Sequence, residues 1–78
     1  MTVEIITPGE TLYSGEAILV KLPGAEGSFE VMQNHAPIIA LLQKGKVKVK
    51  DLESKEIYFD INGGVVEMLK NKLVILAE

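Results

Sequence analysis

The chain has 78 residues with eight lysines, no arginine, eleven acidic residues and no cysteine, giving a formal net charge of −3. A chain of this length supports one domain that buries only roughly 60% of the surface its unfolded form exposes, and it can draw on neither disulfides nor thiolate metal sites. An acidic balance without arginine argues against nucleic acid, whose binding rests on phosphate neutralisation and commonly on arginine forks, and it leaves anionic lipid headgroups little to attract.

The start, Met1-Thr2-Val3-Glu4, has neither a basic segment nor a long apolar run of the kind a signal peptide carries. Val3 and Ile5 open a period-two alternation that Pro8-Gly9 interrupts. From Ala17 to Leu22 the alternation assigns Ile18, Val20 and Leu22 to one face, and the opposite face still carries Ala17 and Leu19. Pro23-Gly24 breaks the pattern, and Phe29 and Val31 resume it. Ile38-Ile39-Ala40-Leu41-Leu42 is apolar on both faces. In so small a domain that pattern fits either a closed sandwich or a partner surface, because monomers rarely expose large contiguous apolar patches. The uncharged stretch Val31 to Gln43 around it is too short to cross a bilayer, which takes about 20 apolar residues.

After Gln43-Lys44-Gly45, Val47 and Val49 alternate with lysines. The polar turn Asp51 to Lys55 then joins them to Ile57, Phe59 and Ile61 as a hairpin. Its outer face places Lys46, Lys48 and Lys50 opposite acids such as Glu56 and Asp60, pairs that contribute about 0.2–1 kcal/mol each. Lysines along an exposed strand also discourage edge-to-edge association. Asn62-Gly63-Gly64 and Asn71-Lys72 are further turns, and Leu73, Ile75 and Ala77 close the chain with the same alternation. No window carries a helical stripe. Breaks at about the eight-to-twelve-residue spacing of sandwiches and barrels predict an all-β fold, an antiparallel β-sandwich or flattened barrel.

Little here performs chemistry. There is one histidine, and serine stands only at positions 14, 28 and 54, so no nucleophile and base assemble and no zinc set is evident. His35 inside Asn34-His35-Ala36-Pro37 is a turn residue rather than a base. Glu26 and Glu30 lie close in sequence, but with Phe29 turned inward Glu30 points outward, which suits solvent or a partner better than a substrate. Pro23-Gly24-Ala25-Glu26-Gly27-Ser28 is no phosphate loop, since no lysine follows in register and no helix begins there. Gly63-Gly64 introduces a strand, and its glycines suit positive-φ positions.

Six segments taken in order carry a resemblance: Ile6-Thr7-Pro8; Leu12-Tyr13-Ser14-Gly15-Glu16; Leu22 to Val31 with Met32-Gln33-Asn34-His35-Ala36-Pro37; Lys44-Gly45-Lys46-Val47; Ile61-Asn62-Gly63-Gly64-Val65-Val66-Glu67; and Asn71 to Ala77. Over nearly its whole length the chain resembles the epsilon subunit of F-type ATP synthase. The resemblance implies a sandwich of two antiparallel sheets with about eight to ten short strands. It also implies a non-catalytic rotor subunit of the central stalk, coupling the gamma subunit to the membrane c-ring of a proton-translocating enzyme. It carries Gly24, Ala25, Glu26, Gly27 and Ser28 over to the loop directed at the c-ring. Met32, His35, Ala36, Pro37, Ile39 and Leu41 correspond to the region near gamma.

The resemblance further implies a peripheral location on the cytoplasmic face of the bacterial inner membrane, with no direct membrane insertion, no nucleic acid and no cofactor. The sequence departs from the commoner family pattern at Ser28, where a carboxylate is usual, and at Gln33-Asn34, where Pro-Gly is usual. Family members commonly continue into a helical hairpin that regulates hydrolysis and in some cases binds ATP. Here the sequence ends at Ala77-Glu78, so the expectation is one sandwich domain over residues 1–78 without ATP binding, either a short form, which is favoured, or a longer protein cut at the domain boundary. The rival from another class is a free-standing β-sandwich adaptor or carbohydrate-binding module. Such modules usually present aromatic residues, and Tyr13, Phe29, Tyr58 and Phe59 are the only ones here. An enzyme ranks last.

Overall fold

Period-two alternation broken by turn residues yields eight strands and no helix in the computed structural model, which describes residues 1–78: β1 (Thr2–Ile6), β2 (Thr11–Leu22), β3 (Phe29–Met32), β4 (Ile38–Leu42), β5 (Gly45–Asp51), β6 (Glu56–Ile61), β7 (Gly64–Leu69) and β8 (Lys72–Ala77). They run as one curled path, β4-β7-β8-β1-β2-β5-β6, with β3 added to β2. The twelve-residue β2 belongs to both layers. Thr11 to Glu16 pairs with β1, whereas Ala17 to Leu22 pairs with β5 on one side and β3 on the other. The first layer is therefore β4-β7-β8-β1-β2, and the second is β3-β2-β5-β6.

Two features depart from the sequence reading. β1 and β8 run parallel, Val3 opposite Leu73 and Ile5 opposite Ile75, so the sandwich is antiparallel everywhere except at this pair. In addition, β2 does not alternate strictly. Its pairing with β5 slips between Ala17 and Leu19, which leaves Ile18 as an extra residue. Such a bulge bends a strand and reverses the facing of the residues beyond it. Ala17 is thus fully buried along with Val20 and Leu22, whereas Ile18 is only half-buried.

Between the layers lies a cluster of 16 buried apolar residues to which every strand contributes, β3, β4 and β6 through one residue each, Val31, Leu42 and Ile61. Tyr13 and Phe59 pack at its margin edge to face, with ring centroids 5.7 Å apart. No buried side-chain polar atom lacks a partner.

Turn chemistry sets the register. Lys70 and Asn71 both take positive φ (50° and 60°) in a two-residue link that aligns Leu69 with Lys72, the conformation that tight hairpins favour. At the β5–β6 turn the Asp51 carboxylate accepts the amides of Glu53 and Lys55 at 2.8 and 2.9 Å, and Ser54 adopts φ 65°. Gly64 has φ 145°, and a Cβ there would run into the Leu76 carbonyl, so the position requires glycine.

Candidate functional site

Gly24 is buried, whereas Ala25, Glu26, Gly27 and Ser28 are exposed, which makes the predicted loop a pinned base with a projecting tip. The Gly24 carbonyl accepts the Gly27 amide at 3.0 Å and the Gln43 side-chain amide at 2.9 Å. The Ala25 amide donates to the Leu41 carbonyl at 2.9 Å, and the Gln43 amide to the Pro23 carbonyl at 2.8 Å. A Cβ on Gly24 would stand 2.5 Å from the Gly27 carbonyl and 2.7 Å from the Phe29 ring, so glycine lets the loop close over that ring. At the tip, the Glu26 carboxylate has neither an ion-pair nor a hydrogen-bond partner within the chain.

The other six candidates do not share one face. Ile39 and Leu41 are 74% and 67% exposed on the outside of the first layer. Met32, 57% exposed, pairs with Leu19 on the outside of the second layer. The chain crosses between layers through Gln33 to Pro37, so His35, Ala36 and Pro37 form an exposed corner joining the two. That corner is tied down from outside itself. The Asn71 side-chain carbonyl accepts the Asn34 amide at 2.7 Å, Asn34 takes φ 65°, and the His35 amide reaches the Met32 carbonyl at 3.2 Å. His35 Nδ1 lies 2.7 Å from the Ala36 carbonyl, where it acts as a donor. This is a turn histidine, as expected, and no group of three His, Asp or Glu side chains is placed to hold a metal ion.

Residues far apart in sequence complete the apolar surface. Across the outside of the first layer, Leu41 stands opposite Val65, Val65 opposite Leu76, and Leu76 opposite Ile6. This makes an unbroken apolar row across four strands. The neighbouring row, Ile39, Glu67, Val74 and Glu4, mixes in two acids. Sequence reading found Ile39 and Leu41 and missed Val65, Leu76 and Ile6. The available signal was β8, where Leu73, Ile75 and Ala77 point inward and Leu76 still remains on the other face. Loop and β4 also meet: Gly24 to Phe29 and Ile38 to Leu41 line one open cleft of about 850 Å³.

On the outside of the second layer the predicted hairpin pairs form. Lys46 lies 2.9 Å from Asp60 and Lys48 lies 3.6 Å from Glu56. The Tyr58 hydroxyl donates to the Glu56 carboxylate at 3.0 Å. That hydrogen bond first, and the Lys48 charge second, hold the Glu56 carboxyl below its ordinary range, and the same bond raises the Tyr58 phenol. A folded-state pKa below the unfolded one makes a contribution that is present above the ordinary carboxylate range and lost as pH falls through the lowered value. Tyr58→Phe is expected to move the Glu56 midpoint upward in a carboxyl NMR titration. An unmoved midpoint would assign the shift to Lys48 and Lys50 instead.

These features describe a small β-sandwich with an apolar sheet face and a pinned acidic loop tip. Residues 1–78 match the model of the ATP synthase delta/epsilon chain β-sandwich domain, and the chain belongs to that family. It is 46% identical to the ATP synthase epsilon chain of Caulobacter vibrioides, covering 95% of this chain and 85% of that protein. It is 42% identical to the epsilon chain of Salinibacter ruber, of which it spans 58%. Its fold is also that of a chain in the Euglena gracilis mitochondrial ATP synthase OSCP/F1/c-ring structure, with a TM-score of 0.90 at 17% identity over 96% of this chain and 48% of the other. A second is the Tetrahymena thermophila central stalk/c-ring structure, with a TM-score of 0.77 at 18% identity over 97% and 61%.

Proposed function

We propose that this chain is the sandwich unit of a non-catalytic central-stalk subunit in a proton-translocating F-type ATP synthase, lying between the gamma subunit and the membrane c-ring. The observation that carries the reading is the family match over residues 1–78, supported by epsilon-chain relatives such as the one from Caulobacter. In this reading the apolar row of the first layer, together with Ile39 and the His35-Ala36-Pro37 corner, takes gamma, and the loop Gly24 to Ser28 meets the c-ring. Met32 contributes at the margin, around the sheet edge. The complex is peripheral on the cytoplasmic face of a bacterial inner membrane, and residues 1–78 act as one unit that takes no cofactor and no ATP. A pull-down from gently solubilised bacterial membranes tests the whole reading. Recovery of gamma and c with the chain is expected, and recovery of neither would return it to the free-standing adaptors.

Glu26 supplies a sharper test. Exposed ion pairs give only about 0–1 kcal/mol, but an unpartnered carboxylate at a loop tip is free to meet the basic residues of c-ring loops. Glu26→Lys is expected to weaken c-ring attachment most at low salt, where screening is least, with gamma binding and melting temperature unchanged. Unaltered c-ring binding at low ionic strength by a folded variant would remove Glu26 from the contact.

A further inference from the structure

The net charge of −3 averages over a segregated surface. Beside the loop Gly24 to Ser28, a cleft of about 430 Å³ on the second layer is lined by Lys21, Lys44, Lys46 and Lys48, with Pro23 and Ser28 contributing from the loop. Half of the chain's eight lysines therefore converge there. The topology enforces the crowding. β2 pairs with β5 in a register that sets Lys21 directly opposite Lys48, an arrangement that destabilises an antiparallel pair, and the link from β4 into β5 adds Lys44 and Lys46.

Carboxylates answer only part of this charge. Asp60 and Glu56 bridge Lys46 and Lys48 from β6. Glu30 stands opposite Lys21 on β3 without forming an ion pair, and Glu26 projects from the loop nearby. Lys21 and Lys44 have no carboxylate within bridging distance, and both are exposed. The site thus holds two free ammonium groups beside two bridged ones, and its complement is an anion.

The kind of anion follows from what the cleft lacks. A nucleotide needs a base platform and a nest of backbone amides or a helix N-terminus. Here no helix exists, and the aromatic ring at the cleft, Tyr58, has its hydroxyl committed to Glu56. An acidic peptide would use apolar pockets or a free strand edge for specificity; the apolar wall here is Pro23, and β6, the strand at the free edge of this layer, carries Glu56 and Asp60, which repel a further acid. Several flexible ammonium groups on an open surface suit a plane of phosphate groups, which point charges meet without fixed geometry. Net charge does not decide the matter, since the field at a face comes from charges within about one Debye length, near 8 Å at physiological salt.

We propose that the lysine cleft formed by Lys21, Lys44, Lys46 and Lys48 docks on the phosphate groups of anionic lipid headgroups beside the c-ring. The orientation rests on the proposed function, which directs the adjoining loop at the membrane.

The test is co-sedimentation of the whole chain with vesicles of phosphatidylcholine alone or mixed with phosphatidylglycerol, at low and at physiological salt. At low salt roughly tenfold more chain is expected with the anionic vesicles, declining as salt rises. Lys21→Glu with Lys44→Glu is expected to reduce binding to the phosphatidylcholine background at an unchanged melting temperature. Lys55→Glu with Lys70→Glu makes the same change of net charge outside the cleft and is expected to preserve binding. Equal loss in both double variants, or no enrichment on anionic vesicles, overturns the proposal. Saturation of the cleft lysines by pyrophosphate alone, seen by NMR at micromolar concentration, overturns it in favour of a soluble phosphate ligand. The vesicles contain neither gamma nor c, so a failure here leaves the rotor reading standing, and an empty pull-down with lipid binding intact removes the rotor reading alone.

Discussion

Leu73→Ala is expected to lower folding stability by about 2–5 kcal/mol, the range for truncating a large aliphatic side chain in a packed core. Leu73 is fully buried on β8, between β7 and β1, opposite Met68 on one side and Val3 on the other. The cavity would open where both strand ladders meet, with little slack for neighbours to close it. A small domain has only about 5–15 kcal/mol of stability to lose, so the variant stands at the margin of folding. Urea unfolding gives the value directly, with the transition midpoint falling and the slope retained. A loss below about 0.5 kcal/mol, the scale of surface substitutions, would contradict the placement of Leu73 in the core.

The second large effect falls on binding. Leu41→Asp is expected to weaken association with gamma by about 30-fold or more, the equivalent of the ~2 kcal/mol that marks an interface hot spot, while melting stays near that of the parent. The asymmetry comes from position. Leu41 is 67% exposed in the free chain and heads the apolar row through Val65, Leu76 and Ile6, so a charge there meets water in the free chain and an apolar surface in the complex. Met32→Asp serves as the comparison, because Met32 lies on the outside of the other layer beside Leu19, and a smaller loss is expected. Titration of purified gamma by calorimetry reads both variants. Equal losses would place gamma around the sheet edge rather than over the first layer.

How far the sequence discloses these positions depends on the range of the interaction involved. Alternation identified Val3, Ile5, Val47, Val49, Leu73 and Ile75 as inward, because facing within one strand is a local property with period two. The β5–β6 hairpin and its Lys46–Asp60 pair were legible for the same reason, since a short turn fixes their register. Ile18 was placed inward and Ala17 outward because a bulge leaves no mark on an apolar run, and only the slipped pairing with β5 reveals it. The parallel β1–β8 pair joins the two ends of the chain with no turn between them to announce it. Pro23-Gly24 marks the candidate loop as a break between strands, and Ala25 to Ser28 are exposed there. Its attachment to Leu41 and Gln43 was invisible because it passes through backbone groups. The resemblance groups Met32 with Ile39 and Leu41, although the chain changes layers between them. Lys21 and Lys44 joined the β5 lysines only once β2 and β5 were paired.

The sharing of β2 between layers bears on how the sandwich would carry mechanical load in the proposed rotor. A pull on the first layer and a resisting pull on the second do not have to be borne by side-chain packing alone, because one uninterrupted backbone from Thr11 to Leu22 runs through both. Covalent bonds are far stiffer than an apolar seam, so β2 ties the layers together within a strand, where the β3–β4, β4–β5 and β6–β7 links do so only through turns, and the bulge at Ile18 is the place where it bends. The parallel β1–β8 ladder adds to this. A force along those two strands in opposite directions shears their hydrogen bonds together, whereas peeling them apart sideways would break the bonds in turn. A part that must turn as a rigid body gains from both arrangements, and neither depends on the identity of the side chains at its surface.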